Sequence, residues 1–455
     1  MTIFSFILLG MVICNHLKTK DIREIFISDF ALYCAVYALY AIGHFIKIGG
    51  FRFDNEEFLC LFVFIESILI LINDNILEAS RYSVALFLSI ILGMIFLELF
   101  PYKEYVYTAG ANEYLYMKNG SSMVLPSINA QSIRFTVRII MHIVICKAFC
   151  YISDKNTNDV IEDIITRAAC INLLYLIFEV LCKGVFGSTL YQTIQLFIFN
   201  QTSFIGGEVN RIGILTLTGF WTEPTQLSAG LFATSLALVF FEKRNAIRII
   251  VLIGNICFLM ISGSFRGFMS ILALVSIWMI ASSIPNNRNT MVVVGLLFLA
   301  VIAVLIVIPV LDLSYYTGRL ESSLNFFRGV DAVEDVSGSE YVRFRTIMEG
   351  LRIFGERPLF GLGIATNWCY ATIPALLSNL GLIGTVSYFG YIMETVSMVF
   401  DKKKILIMSI LIVVYFFSDT FSAVYNPMLF LSIYLLSGKE YNTVLYNNSL
   451  CKYIK

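Results

Sequence analysis

Long apolar runs separated by short polar breaks fill most of this 455-residue chain. A helix that crosses a bilayer needs about 20 mostly apolar residues. Runs of that order lie near 2–14, 27–48, 57–72, 82–100, 134–152, 166–186, 225–241, 247–263, 267–283, 291–311, 373–399, 405–421 and 426–437. The pattern predicts an all-α polytopic membrane protein of about 12–14 transmembrane helices. The first run has no charge before it and is followed by Asn15, His16, Lys18, Lys20 and Arg23, so it lacks the charged start of a cleavable signal peptide and is expected to be a retained anchor. Composition sharpens this: 58% of residues are apolar and 14% charged. A soluble enzyme, a secreted disulfide scaffold and a disordered chain are excluded. Lys plus Arg equals Asp plus Glu at 32 each, which argues against a nucleic-acid partner. The ten cysteines sit mostly inside apolar runs without paired short spacing and read as small core residues.

The lysines and arginines of the short loops set the orientation. Lys18, Lys20 and Arg23, then Lys243, Arg244 and Arg248, Arg288, Lys402 to Lys404, and Lys439, Lys452 and Lys455 all fall on one side, the expected cytoplasm. The other side receives the long segments 101–133, 187–224 and 312–372. The chain divides accordingly into an N-terminal transmembrane bundle (1–186), a first periplasmic loop (187–224), a transmembrane core (225–311), a large, partly helical periplasmic loop (312–372), C-terminal helices (373–437) and a cytoplasmic tail (438–455). The large loop is too long for a passive connection and is the expected seat of function.

No Walker loop, dinucleotide fingerprint, HExxH or EF-hand pattern is present, and the three histidines, His16, His44 and His142, all precede the two C-terminal external loops. Those loops carry arginine instead. From residue 184 onward all seven lysines are assigned to the cytoplasm, while Arg211, Arg266, Arg319, Arg328, Arg343, Arg345, Arg352 and Arg357 are assigned outside. The topology rule explains the lysines but predicts few external arginines of either kind. The planar guanidinium grips phosphate or carboxylate with two bonds and keeps its charge in a dry cleft, which points to an anionic, phosphorylated ligand. Salt bridging within the loop is the plainer alternative, since 313–372 also holds seven acids.

One segment separates these readings. Ser337-Gly-Ser-Glu340 resembles a capping box, Gly355 a helix stop, and Pro358 forbids continuation, so a helix of about four turns is expected between them. On it Arg345 with Glu349 and Arg352 with Glu356 are i,i+4 pairs on one face. Arg343 lies about 200° round from Arg345 and is the better ligand-facing candidate. Glu356-Arg-Pro-Leu-Phe-Gly-Leu-Gly363 follows, a tight turn in which Gly361 and Gly363 let backbone approach a neighbour or a ligand. In the first periplasmic loop Glu223, beside Trp221, precedes Pro224 at the start of a span, where capping and a functional role are both open. Arg266, in Ser262-Gly-Ser-Phe-Arg-Gly267, would be held at membrane level between two spans, with snorkelling to lipid phosphate as its alternative.

The order Asn210-Arg-Ile-Gly through Trp221-Thr-Glu-Pro224, then Ser-Gly-Ser-Phe-Arg-Gly-Phe268 at a span junction, then Gly338 to Gly363 closing the largest external loop, resembles the bacterial O-antigen polymerase (Wzy) family of the O-antigen polymerase and ligase superfamily. The resemblance covers residues 205–372 in motif and the whole chain in topology. The family has an aromatic four residues after its loop arginine, where this chain has Ile347. The resemblance implies a GT-C-like glycosyltransferase of the bacterial inner membrane, working at the periplasmic face on an undecaprenyl-pyrophosphate-linked oligosaccharide, with no nucleotide sugar, cofactor or metal. It implies Arg211, Arg266 and Arg343 on the pyrophosphate, Arg345 and Arg319 as further candidates, and Glu223 as base or as partner of Arg211. Trp221, Gly361 and Gly363 are expected to line the substrate site. Expected partners are the bilayer and a chain-length regulator and flippase of the same pathway.

Three other readings compete. A ligase of the same superfamily usually carries a histidine in the large loop, which is missing here. A lipid-linked oligosaccharide flippase needs no long arginine-bearing loop and would keep charges inside the bundle. A generic transporter would use intramembrane charges such as Glu66, Glu98 and Glu179, which lie away from the motifs in sequence.

Overall fold

The computed structural model describes residues 2–40, 44–48, 51–76, 79–107, 123–153, 155–199, 217–221, 224–241, 246–262, 264–282, 338–396, 401–417 and 424–437. Within them the chain is mostly helical with two small hairpins, as an all-α membrane protein requires. The helices are α1 (Ile3–Lys18), α2 (Ile22–Leu39), α3 (Asn55–Asn73), α4 (Arg81–Leu99), α5 (Ala130–Ile152), α6 (Lys155–Val185), α7 (Ser188–Phe199), α8 (Pro224–Phe240), α9 (Ala246–Ile261), α10 (Phe265–Ser282), α11 (Gly338–Glu356), α12 (Thr372–Val396), α13 (Lys402–Phe417) and α14 (Pro427–Ser437). Four stretches are long and apolar enough to cross a membrane: Arg81–Leu99, Ala130–Ile152, Thr157–Val185 and Thr372–Val396. Shorter apolar helices include α1, α8, α9 and α14. The expected span at 291–311, the expected tail and the large loop before residue 338 lie outside the described residues.

Helix starts follow local chemistry. Thr2, Asp21, Ser80 and Asn129 each turn a side-chain oxygen onto a free N–H of the first turn, and Pro opens α8 and α14, where no N–H is needed. The α2 helix runs through the middle, against α1, α3, α6, α8 and α14. A second group is built on α12, which packs against α4, α11 and α13. Large apolar side chains such as Phe6, Leu17, Leu99, Leu174 and Ile250 are exposed on the outer surface. Meanwhile Asp29, Glu66, Glu179 and Asn255 are buried within. That inversion of polarity is what a lipid solvent selects.

Four features depart from the apolar-run reading. The run 27–48 is not one helix: α2 stops at Leu39, and His44–Ile48 (β1) pairs antiparallel with Phe51–Asp54 (β2), Ile48 facing Phe51. Alternation caused this, because Phe45 turns inward and stacks on Phe58 at 3.7 Å while His44 turns to Asp54. The second small hairpin joins Val106–Tyr107 (β3) to Met123–Val124 (β4). The first periplasmic loop holds a helix, α7, that buries Tyr191, Gln195 and Phe199 at four-residue spacing.

The fourth is a break in α12 at Gly381, with φ 64° and ψ −170°. The freed N–H groups of Leu382 and Ile383 donate to the carbonyls of Pro358 and Leu359, at 2.7 and 3.2 Å, and Leu362 N–H donates to Ser378 O at 2.8 Å. The turn after α11 is thus threaded into the gap in α12. Irregular backbone survives beside a bilayer only when protein satisfies it, and here it is satisfied on both sides.

Candidate functional site

The end of the bundle that carries β1 and β2, called here the hairpin end, gathers the chemistry. The α3 helix begins there with Asp54 and Glu57 forming a capping box, which fixes Glu56 and Glu57 at its mouth. Across from them α5 presents Arg134 and Arg138, one turn apart. Arg138 donates to Glu56 at 2.9 Å and lies 2.5 Å from Glu57. Arg134 donates to the same Glu57 oxygen at 2.6 Å and to Asp54 at 3.1 Å. His44 Nδ1 stands 2.5 Å from Asp54, closing a network of two arginines, three carboxylates and an imidazole. Arg138 also donates to the Tyr425 hydroxyl at 3.2 Å and lies 5.1 Å from the centre of its ring.

Tyr33, Tyr37, Glu56, Glu57, Cys60, Arg138 and Tyr425 line a small cleft. Its interior has room for about one water molecule. Its two carboxylates are engaged by Arg134 and Arg138. Burial pushes the Tyr425 phenol up to about 12, partly offset by Arg138, so it remains a donor. Sequence reasoning missed this cleft. The signal that could have found it is Arg134 and Arg138 at one-turn spacing in a helix start, opposite three acids among four residues at 54–57.

The turn 217–221 is anchored at the same end. Glu179, fully buried in α6, accepts from Lys183 Nζ at 2.6 Å, Thr218 N at 3.0 Å and Gly219 N at 2.7 Å. Tyr191 and Gln195 of α7 hold the Gly219 carbonyl. Glu179, remote from the motifs in sequence, is therefore the clamp of the segment that leads to Glu223. Trp221 donates its indole N–H to Ala38 O at 3.2 Å, beside the close crossing of α2 and α8 at Gly230.

Those of the expected site residues that are described lie on separate segments. Arg266 is half-buried in the first turn of α10, next to Gly267, where a Cβ would meet Leu259 O at 2.3 Å. Arg345 is half-buried on α11. Gly361 and Gly363 both have positive φ, and the neighbours they approach are backbone: Ser378 and Asn379 for Gly361, Gly93 and Met94 of α4 for Gly363. Of the two readings of that turn, the geometry is that of chain packing. Arg343 falls in the first turns of α11, with its side chain outside the described part, and Arg211, Glu223 and Arg319 lie outside the described residues altogether.

Arg352 is held as its spacing predicts, 2.9 Å from Glu356, and it also pairs with Glu104. Glu356 accepts from Tyr102 at 2.7 Å, and Arg357 bonds Phe100 O. These contacts tie the end of α11 to the chain leaving α4. No protein-family model matches this chain, and no curated protein matches it either. The reading of function therefore rests on the residues themselves.

Proposed function

We propose that the chain is a polysaccharide polymerase of the O-antigen polymerase type in the bacterial inner membrane. It joins undecaprenyl-pyrophosphate-linked repeat units, O-antigen or capsular, at the periplasmic face, which on this reading is the hairpin end. The observation that carries it is that eight of the eleven arginines after residue 184, and none of the seven lysines, fall in the segments assigned to the outside, which bear the three motifs. In the reaction the acceptor hydroxyl oxygen bonds to the anomeric carbon of the donor and the bond from that carbon to the pyrophosphate breaks. The leaving group departs with the electron pair as undecaprenyl pyrophosphate. Arg211, Arg266 and Arg343 would meet the charge that develops there, each good donor in a dry site contributing about 3 kcal/mol. Arg319 and Arg345 stand as further contacts. Glu223 either takes the hydroxyl proton or orients Arg211. A chain-length regulator and a flippase of the same pathway stand as partners in the membrane.

One observation favours a flippase instead. Buried ion pairs thread the helices, among them Arg138 with Glu56 and Glu57, Arg248 with Glu162, and Lys183 with Glu179, and intramembrane charges commonly mark transport paths. Deleting the gene decides the matter. A polymerase null displays a single repeat unit on the core or lipid carrier and no ladder of longer glycans. A null with no surface repeat unit identifies a flippase, and one with long polymer on the lipid carrier identifies a ligase.

A further inference from the structure

At the end of the bundle opposite the hairpins, where α1 and α3 finish and α2 begins, three potential ligands converge. His16 Nε2 lies 3.0 Å from Glu66 Oε1 and 3.6 Å from Asp29 Oδ2. One ligand atom from each residue falls within 4.8 Å of the others. Asp29 is fully buried and Glu66 is 3% exposed, and apart from the His16 imidazole and the two carboxyls themselves no donor reaches either oxygen of Glu66 or Oδ2 of Asp29. Two carboxylates do not both remain ionised side by side in a low-dielectric interior unless a cation balances them; otherwise one takes up a proton. The imidazole, with 39% of its side chain exposed, opens the cluster to solution.

We infer that His16, Asp29 and Glu66 form a binding site for one divalent transition-metal ion of the zinc class. Ligand bonds of about 2.0–2.1 Å in a tetrahedron set donor atoms about 3.3 Å apart, and the two separations at His16 bracket that value. One imidazole and two carboxylates are a mixed donor set of intermediate softness, suited to Zn²⁺ or Mn²⁺, and their two negative charges cancel the ion's two positive ones. The remaining position would belong to water. Asn15 completes the argument: its side-chain N–H donates to Asp29 Oδ1 at 2.5 Å, occupying one carboxylate oxygen and turning Oδ2 to the ion. Such an ion would staple α1 to α2 and α3. The site is independent of the glycan chemistry proposed for the other end.

The test uses the full chain purified in detergent, stripped with a chelator, and titrated with Zn²⁺ or with Co²⁺ as a visible-absorbing probe. The expected result is one ion per chain by elemental analysis, Co²⁺ d–d bands of a low-coordinate site displaced by Zn²⁺, and a thermal unfolding temperature raised by Zn²⁺. His16→Gln changes an exposed side chain and should fold; it should abolish the bands and the Zn²⁺-dependent rise. Asn15→Ala should weaken binding by roughly tenfold to 100-fold. Wild-type protein that binds no stoichiometric ion, or His16→Gln protein that binds as tightly as wild type, overturns the proposal and makes the two carboxyls a pair sharing a proton.

Discussion

Arg343 and Arg352 stand nine residues apart on α11, which at 3.6 residues per turn sets them on opposite faces. Arg352 is committed: Glu356 and Glu104 take its guanidinium, and Glu356 in turn accepts from Tyr102, whose phenol is held above its ordinary range by burial and by that acceptor. A residue already gripped by two carboxylates at half exposure contributes little beyond local tethering, because exposed pairs are worth about 0–1 kcal/mol. Arg352→Lys should therefore leave glycan chain length unchanged. Arg343→Lys keeps the charge but loses the two-pronged geometry. If Arg343 contacts the leaving pyrophosphate, about 2–4 kcal/mol of transition-state stabilisation goes with it, a loss of roughly 30-fold to 1,000-fold in rate. The check is ladder length in a complemented null strain at equal membrane protein level. A normal ladder with Arg343→Lys and none with Arg352→Lys would assign substrate to the other face.

At the scale of elements, the break in α12 ties the largest loop to the bundle. Gly381 sits at φ 64° and ψ −170°, a region open essentially to glycine alone, and a Cβ there would come within 2.3 Å of the Leu359 carbonyl. Gly381→Ala should cost about 3 kcal/mol or more, from strain and from expulsion of the 358–362 turn. Gly10→Ala in α1, with nothing within 4 Å of its Cβ, should shift stability by at most about 1 kcal/mol, and upward. Thermal unfolding of the two variants in detergent compares them directly; equal melting temperatures would show that the turn is not docked in the break. The helices themselves were legible from the apolar runs because in lipid hydropathy and length are nearly the whole requirement. The α11 helix was legible from its cap, stop and proline. The hairpin was not read, although His-Phe-Ile-Lys-Ile-Gly-Gly-Phe-Arg-Phe-Asp54 alternates around Gly-Gly, since a run of apolar residues also fits a span. The Arg138 cleft was only partly legible, through the Arg134 and Arg138 spacing and the acids at 54–57, and for a different reason. It depends on Tyr425, 287 residues away, and on acids that the capping box alone explains.

For the whole molecule, two independent lines put the same charged groups at one end. Counting charges places Lys18, Lys20 and Arg23 on the same side as Lys402 to Lys404. The helix packing agrees: Arg23 reaches Asp74 at the foot of α3, 2.9 Å away, and Lys404 Nζ donates to Ser437 O at the foot of α14, both opposite the hairpins. The α12 helix begins beside Gly350 of α11, whose nearest neighbour is the Pro374 carbonyl, and finishes at Val396 just before that lysine cluster. The segment leading into α11 and the turn at Lys403 therefore belong to opposite ends, so a single crossing of the bilayer by α12 must put them in different compartments. An alkaline phosphatase fusion, active only outside the cytoplasm, should be active at Asp335 and silent at Lys403. Activity at Lys403 with silence at Asp335 would turn the molecule over and remove the arginine-bearing segments from the periplasm, and with them the polymerase reading. Activity at neither position would mean that α12 does not cross, leaving Gly381 as the hinge of a re-entrant segment.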